Sequence, residues 1–212
     1  YWWPEQGVYR DRPDGDELSE LTQAWAIIAG LPDEAQCDSM VRRLTGERYA
    51  GELPLAKATL YGRFYVFRAL SKVGQYEKAY GLFDHWRTMM ATDLTTWPEE
   101  PYLARSYCHA WSATPIYELL AEVLGVTPGA AGWARVNIRP TLWNLTWAEG
   151  SVPTPYGDVR VRWDIEGGKF HLTASGPETI PITVHMPDGS QHEATGATGR
   201  LTSGVRPKKQ RE

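Results

Sequence analysis

One proline-interrupted segment in the middle of the chain gathers residue types that could do chemistry: Glu99, Glu100, His109, Trp97 and Trp111. A carboxyl group or an imidazole can move a proton to or from a reacting group. Flat tryptophan faces could stack on sugar rings, and loops held by a rigid scaffold often carry such sites. The pattern also fits two solvated glutamates, a hydrogen-bonded structural histidine and tryptophans that only pack. Spacing alone leaves both interpretations open.

The remaining reactive side chains favour neither a metal nor a thiol site. Cys37 and Cys108 lack metal-ligand spacing and disulfide patterning, so we expect both to be small buried residues. Cys108 and His109 are adjacent, and neighbouring side chains usually point apart, which disfavours a thiol nucleophile and its base. The five histidines show no ligand spacing and no accompanying acidic cluster. We therefore expect no metal and no cofactor.

Composition predicts a packed globular protein of one domain or two small ones. The chain has 212 residues, of which 42% are hydrophobic and 23% charged. The net charge of −4 and the absence of a basic face argue against a nucleic acid partner. No apolar run has the length of a membrane span, which argues against a membrane partner. The chain begins at Tyr1 without a visible signal peptide, so a processed protein or a fragment, cytoplasmic or secreted, is compatible with the sequence.

Apolar residues recur at helical spacing before residue 125 and predict about five helices. Glycines after the apolar stripes serve as stop signals, and the predicted inward faces include Trp25, Ile116 and Leu119. The helices are expected at about 18–29, at 32–45 with Pro32 inside the first turn, at 60–73, at 76–90 and at 114–124.

The period changes from helical to two after residue 128, which predicts a small antiparallel β-sandwich. Alternating apolar residues include Val159, Val161 and Trp163, and glycine-containing turns separate the strands. The predicted organisation is a helical domain at 1–128, a β domain at 129–205 and a basic tail at 206–212.

Two motifs give the chain a specific resemblance. Thr95-Thr96-Trp97-Pro98-Glu99, followed by Cys108-His109-Ala110-Trp111-Ser112, resembles the C-terminal half of bacterial α-L-rhamnosidases of glycoside hydrolase family 78. The likeness continues through Val136-Asn137-Ile138-Arg139-Pro140 and through residues 147–157. Residues 1–90 are compatible with the family only in their pattern.

The resemblance implies the C-terminal part of an (α/α)6 barrel followed by a small β-sandwich. It also implies an inverting glycosidase, in which one carboxylic acid protonates the leaving oxygen and a second carboxylate activates water. By motif position, Glu99 corresponds to the general base and His109 to a residue that contacts the sugar. Trp111 is expected as supporting packing or a substrate contact, and Trp97 as a wall of the site or a packing residue.

The resemblance also implies partners and leaves alternatives open. The family's general acid lies upstream, and an (α/α)6 barrel needs more helices than the chain predicts. The expected partners are therefore a rhamnoside or rhamnose-containing oligosaccharide and an upstream part of the same enzyme. We expect the isolated chain to be inactive or poorly soluble, because apolar helix faces would be exposed. The alternatives are a non-catalytic carbohydrate-binding or helical scaffold protein, and another glycosidase on the same barrel.

Overall fold

The computed structural model describes residues 1–101 and 103–205, and these residues form two compact units. The first unit is Tyr1–Pro115, and the second begins at Ile116. The basic tail predicted at 206–212 lies outside the described residues. Among the described residues, no helix is both long and apolar enough to cross a membrane.

The first unit begins with a short hairpin and continues with four helices. Its helices start where the sequence supplies caps, since Ser19, Asp33 and Thr59 each accept a hydrogen bond from a backbone N–H three residues further on. The elements are β1 (Trp2–Trp3), β2 (Val8–Tyr9), α1 (Glu20–Ala29), α2 (Glu34–Leu44), α3 (Leu60–Lys72) and α4 (Asp84–Met90).

Three details of the predicted helices were wrong. Pro32 lies outside the first turn of α2, because Asp33 is the N-cap and forms a capping box with Gln36. The helix predicted from Tyr76 starts as a 3-10 helix, Tyr76–Phe83, and becomes α-helical only at α4. Trp25, predicted to face inward, is 49% exposed.

The second unit contains the fifth helix from Ile116 onwards and all later strands. Helix α5 (Thr114–Glu118) continues as a π-helix, Leu119–Val123. Ile116 and Leu119 were predicted on its buried stripe but are about half exposed. The strands are β3 (Val126–Pro128), β4 (Val136–Ile138), β5 (Trp147–Thr154), β6 (Gly157–Glu166), β7 (Lys169–Ser175), β8 (Pro181–His185), β9 (Gln191–Thr195) and β10 (Leu201–Gly204).

The strands form two four-stranded sheets, in the orders β10-β7-β6-β5 and β3-β4-β8-β9. The prediction of an all-antiparallel arrangement was wrong, because β4 pairs in parallel with β8. A parallel pair needs a long connection, and here that connection includes β5, β6 and β7 of the other sheet. Both sheets contribute to one apolar cluster, in which Trp163 and Phe170 are fully buried.

The division between the units precedes the change of period in the sequence. The predicted boundary is 128/129, whereas the compact units divide between Pro115 and Ile116. Val123 and Leu124 belong to the apolar cluster of the sheets. The indole N–H of Trp163 also donates to the Val123 carbonyl oxygen at 3.2 Å. These contacts assign the end of the last helix to the β unit.

A buried carboxylate links α1 to the start of α3 in the first unit. Glu20 is fully buried, and its Oε2 accepts a 2.8 Å hydrogen bond from the Ala58 N–H. The Lys57 ammonium lies 2.9 Å from Oε1, and the buried Arg63 guanidinium lies 3.5 Å from Oε2. A buried charge is tolerated when it is paired and hydrogen-bonded in this way.

Replacing Glu20 by alanine should therefore destabilise the first unit strongly. The change leaves the buried Arg63 without its carboxylate, and loss of one partner of a buried pair costs about 3–5 kcal/mol. Thermal and urea unfolding of the 212-residue chain measure the loss. Glu17→Ala is the control, because its pair with Arg12 is exposed; an equal loss of stability in the two variants would contradict the role of Glu20.

Candidate active site

The two segments that carry the chemical residues pair through their backbones. The Glu99 N–H donates to the Ser106 carbonyl oxygen at 2.8 Å, and the His109 N–H donates to the Trp97 carbonyl oxygen at 2.6 Å. The Thr96 hydroxyl donates to the Tyr107 carbonyl oxygen. Residues 96–99 and 106–109 therefore run side by side, although neither segment is a helix or a regular strand.

A buried serine fixes this pair of segments to helix α4. Ser112 is fully buried, and its hydroxyl lies 2.6 Å from the Pro98 carbonyl oxygen and 2.9 Å from that of His109. The indole N–H of the buried Trp86 donates to the Ser112 carbonyl oxygen at 2.7 Å. The residue before Glu99 and the backbone of His109 are thus held by a single side chain.

The structure separates the two adjacent glutamates. Glu100 is exposed, whereas the side chain of Glu99 is only 7% exposed. A guanidinium nitrogen of Arg105 lies 2.5 Å from Glu99 Oε1, and the Arg105 side chain is itself 87% exposed. The alternative of two solvated glutamates is therefore wrong for Glu99 and correct for Glu100.

The Arg105 guanidinium holds the pKa of the Glu99 carboxyl below its usual value, chiefly through their hydrogen bond. Desolvation of the carboxyl acts in the opposite direction, and the positive charges of Arg105 and His109 lower the pKa further. Glu99 is therefore ionised at neutral pH. A buried carboxylate in this state can accept a proton but has none to donate.

Aromatic rings continue from His109 along α3 to α1. The His109 ring lies 4.4 Å from that of Trp111, and Trp111 stacks on Tyr61 at 5.6 Å. Tyr61 meets Tyr65 edge-on at 5.7 Å, and Tyr65 lies 4.5 Å from Trp25. Trp111, Tyr61 and Trp25 are all more than 40% exposed. This aromatic row lies on the surface of the first unit, and none of its four tryptophan and tyrosine members is a buried core residue.

Comparison with known proteins identifies the family. Residues 125–200 match the bacterial α-L-rhamnosidase C-terminal domain. An α-L-rhamnosidase of Formosa agariphila is 25% identical in an alignment of 175 positions that covers 75% of this chain and 18% of that protein. The crystal structure of a family 78 rhamnosidase from Bacillus sp. GL1 matches with a TM-score of 0.76 at 32% identity, over 89% of this chain and 21% of that one.

The chain corresponds to a C-terminal portion of the α-L-rhamnosidases of glycoside hydrolase family 78. An α-L-rhamnosidase of Streptomyces avermitilis, crystallised with L-rhamnose, shares the fold with a TM-score of 0.72 at 21% identity, over 87% of this chain and 21% of that one. The resemblance inferred from the two motifs is confirmed. The chain spans about a fifth of the length of these relatives and corresponds to their C-terminal portion.

Within this portion, the site residues predicted from the sequence differ in how deeply they are buried. Glu99 is buried, Trp97 and His109 are half-buried, and Trp111 is exposed beside His109. The expectation that Cys108 is buried was wrong, since it is exposed next to the half-buried His109. The roles of these residues stay predictions.

Sequence reasoning missed the residues that complete this arrangement. Arg105 lies in the stretch that carries the resemblance but was given no role, although its position shortly after a glutamate in a loop could have indicated an ion pair. Ser112 lies inside the second motif, but its burial and the hydrogen bonds that follow from it appear only in the folded chain. Tyr61 and Tyr65 are four residues apart, which places them on one face of α3 but gives no sign of the aromatic rings that they meet on other elements.

Among the described residues of the β unit, one group of side chains has the donor types that could hold a metal ion. Oxygen and nitrogen atoms of Asp164, Glu166 and His171 lie within 4.8 Å of one another. Histidine spacing alone missed them because they meet across the β6–β7 hairpin, where Asp164 faces His171. The guanidinium of Arg200 lies 3.3 Å from Glu166 and 3.9 Å from Asp164, so both carboxylates already have a cationic neighbour.

Removing Arg105 should raise the pKa of the Glu99 carboxyl. The ion pair favours the charged form of Glu99, so Arg105→Ala leaves desolvation as the larger influence. A pH titration of the Glu99 side-chain carboxyl by ¹³C NMR, assigned with Glu99→Gln, measures the pKa in both proteins.

Arg87→Ala is the matched control, because Arg87 pairs with Asp84 at 2.6 Å in the same unit. That change should leave the pKa of Glu99 where it is. A Glu99 pKa that is the same in Arg105→Ala and in the parent protein would show that the ion pair does not control this carboxyl.

Proposed function

We propose that the chain supplies the general base of an inverting α-L-rhamnosidase, with Glu99 as the residue that activates water. The observation that carries the proposal is a buried carboxylate, kept ionised by Arg105, beside a histidine and exposed aromatic rings. The substrate is a terminal α-L-rhamnosyl residue of a glycoside or polysaccharide. The names of the similar proteins support this substrate class.

The state of Glu99 suits a base better than an acid. In an inverting mechanism the base must be deprotonated when water arrives, and the lowered pKa provides that state at neutral pH. As the pH falls through the pKa of Glu99, the carboxyl takes up a proton and activity is lost. A group that protonates the leaving oxygen would instead need a raised pKa.

In this proposal Arg105 also controls whether water can reach Glu99. Its guanidinium occupies one oxygen of the Glu99 carboxylate, while most of its own side chain lies in water. A long exposed side chain costs little free energy to move. Arg105 can therefore move away and leave an oxygen of Glu99 available for water when substrate binds.

The ring of His109 and the exposed face of Trp111 fit a sugar-contacting role. An imidazole offers a nitrogen that can donate or accept a hydrogen bond with a ring hydroxyl. The neighbouring indole offers an apolar face for the ring carbons. Trp97 is half-buried beside the base and contributes a wall of the same site.

The proposed reaction needs a second carboxyl group as the general acid, and the two motifs of this chain contain no candidate for it. The acid of an inverting pair lies about 6.5–9.5 Å from the base, so that a water molecule fits between them. Glu100 is exposed, and burial is what would raise its pKa as an acid requires. It is also the residue next to the base in the sequence, which does not suit an acid on the opposite side of the substrate. We assign the acid to the part of the enzyme that corresponds to the remaining length of the relatives.

We also propose an assignment of the two units to known architectures. The helices of the first unit form part of an (α/α)6 barrel, and the two sheets of the second unit form a β-sandwich around their common apolar cluster. The half-exposed side chains of Ile116 and Leu119 are apolar surface that further helices of a barrel would cover.

Non-catalytic carbohydrate binding is the second candidate. The observation that favours it is the aromatic row of the first unit, which offers exposed rings irrespective of any proton transfer. In that case Glu99 and Arg105 form a structural ion pair, and rhamnosides are bound but not cleaved.

Glu99→Gln should lower the rate of rhamnoside hydrolysis by about 10²–10⁴, because the amide cannot accept a proton. The assay uses release of rhamnose from an aryl α-L-rhamnoside by the complete product of the gene that encodes the chain. Circular dichroism checks that the fold is retained.

Glu100→Gln is the matched control, since it removes the neighbouring, exposed carboxylate. It should hydrolyse the substrate at nearly the parental rate. Equal rates for Glu99→Gln and the parent protein would exclude Glu99 as the base, and binding of rhamnosides without any hydrolysis by the parent would favour the second candidate.

A further inference from the structure

The outer face of the β5-β6-β7 sheet contains a trough that no part of the proposed reaction uses. It has a volume of about 640 Å³ and crosses all three strands. Its lining residues come entirely from the second unit and include Trp147, Glu149, Ser151, Arg160, Arg162, Thr173 and Ser175.

Strand register explains the shape of the trough. Alternate residues of a strand point to the same face, so cross-strand partners form rows on that face. Arg160 lies between Ser151 and Ser175, and in the next row Arg162 lies between Glu149 and Thr173. The short hydroxyl side chains on β5 and β7 leave low ground on either side of the two long arginines of β6.

Charge pairing excludes an anionic polymer as the natural occupant. A guanidinium nitrogen of Arg162 lies 2.7 Å from Glu149, and one of Arg160 lies 3.7 Å from Asp158. Each arginine of the trough thus has a carboxylate neighbour, and the face carries no unbalanced positive charge to attract phosphate or sulfate groups.

With anionic ligands excluded, the polar groups of the trough best suit a neutral ligand with many hydroxyl groups. Hydroxyl, guanidinium and carboxylate groups together offer donors and acceptors in adjacent positions, as vicinal sugar hydroxyls require. Trp147 is 57% exposed at the end of the trough, with the Arg162 guanidinium 5.7 Å from its ring centroid. A large exposed indole beside polar groups provides a platform for the apolar face of a sugar ring.

We propose that this trough is a second carbohydrate site, which binds a neutral oligosaccharide without cleaving it. Trp147 stacks on one sugar ring, and Arg160, Arg162 and Glu149 hydrogen-bond to the hydroxyl groups of the next rings. The site would bind a segment of a polymeric substrate that is distant from the bond being cleaved. It is independent of Glu99, which lies in the other unit.

Affinity gel electrophoresis of the complete product of the gene that encodes the chain tests the proposal. The probes are soluble neutral polysaccharides (rhamnan, xylan and mixed-linkage glucan), with polygalacturonate and heparin as anionic probes. At least one neutral glycan should retard the chain. Trp147→Ala should weaken that binding roughly tenfold or more, since a stacked tryptophan in a binding site contributes strongly.

Thr173→Arg is a second variant, because a long side chain on the floor should fill the trough and abolish retardation. Tyr156→Ala is the matched control, as Tyr156 is an equally exposed aromatic residue of the same unit outside the trough lining. Near-ultraviolet circular dichroism checks the fold of each variant. Glu99→Gln should bind as the parent chain does, so that glycan binding tests this site and hydrolysis tests the proposed function.

Three results would overturn the proposal. They are no retardation by any neutral glycan, retardation by the anionic probes alone, and retardation that Trp147→Ala and Thr173→Arg leave unchanged relative to Tyr156→Ala.

Discussion

The candidate active site depends on backbone hydrogen bonds between two irregular segments. Pairing of residues 97–99 with 106–109 brings the carboxylate of Glu99 and the ring of His109 close enough for the histidine to influence the carboxyl pKa. Ser112 and Trp86 then attach this pair to α4. A loop anchored by hydrogen bonds at several points can hold reactive groups in a defined geometry although it is neither a helix nor a strand.

Two opposing influences on Glu99 define its chemistry. Burial favours the neutral carboxylic acid, whereas the ion pair with Arg105 favours the carboxylate, and the ion pair prevails. Since Arg105 is largely in water, the partner that keeps Glu99 charged is also able to leave it. Glu99 differs in this respect from Glu20, the other buried carboxylate of the first unit described above. Glu20 is held by a backbone N–H and by the buried Arg63.

The sequence predicted the elements with strong periodicity and missed those that depend on contacts distant along the chain. Five helices followed by strands were predicted because apolar stripes and caps are local signals. The outward position of Trp25 and the parallel β4–β8 pair could not be read from the sequence, as both depend on how elements pack. Motif position selected Glu99 over Glu100, whereas the ion pair with Arg105 and the aromatic row required the folded chain.

Anion rescue tests the assignment of Glu99 most directly. In Glu99→Gly, azide can enter the space left by the side chain and attack the anomeric carbon in place of activated water. It forms a C–N bond as the bond to a 4-nitrophenolate leaving group breaks, on the face opposite to that group. With 4-nitrophenyl α-L-rhamnoside and the complete gene product, our account predicts that azide restores turnover and that ¹H NMR identifies β-L-rhamnosyl azide. Formation of the α-azide, or hydrolysis at the parental rate without azide, would contradict it.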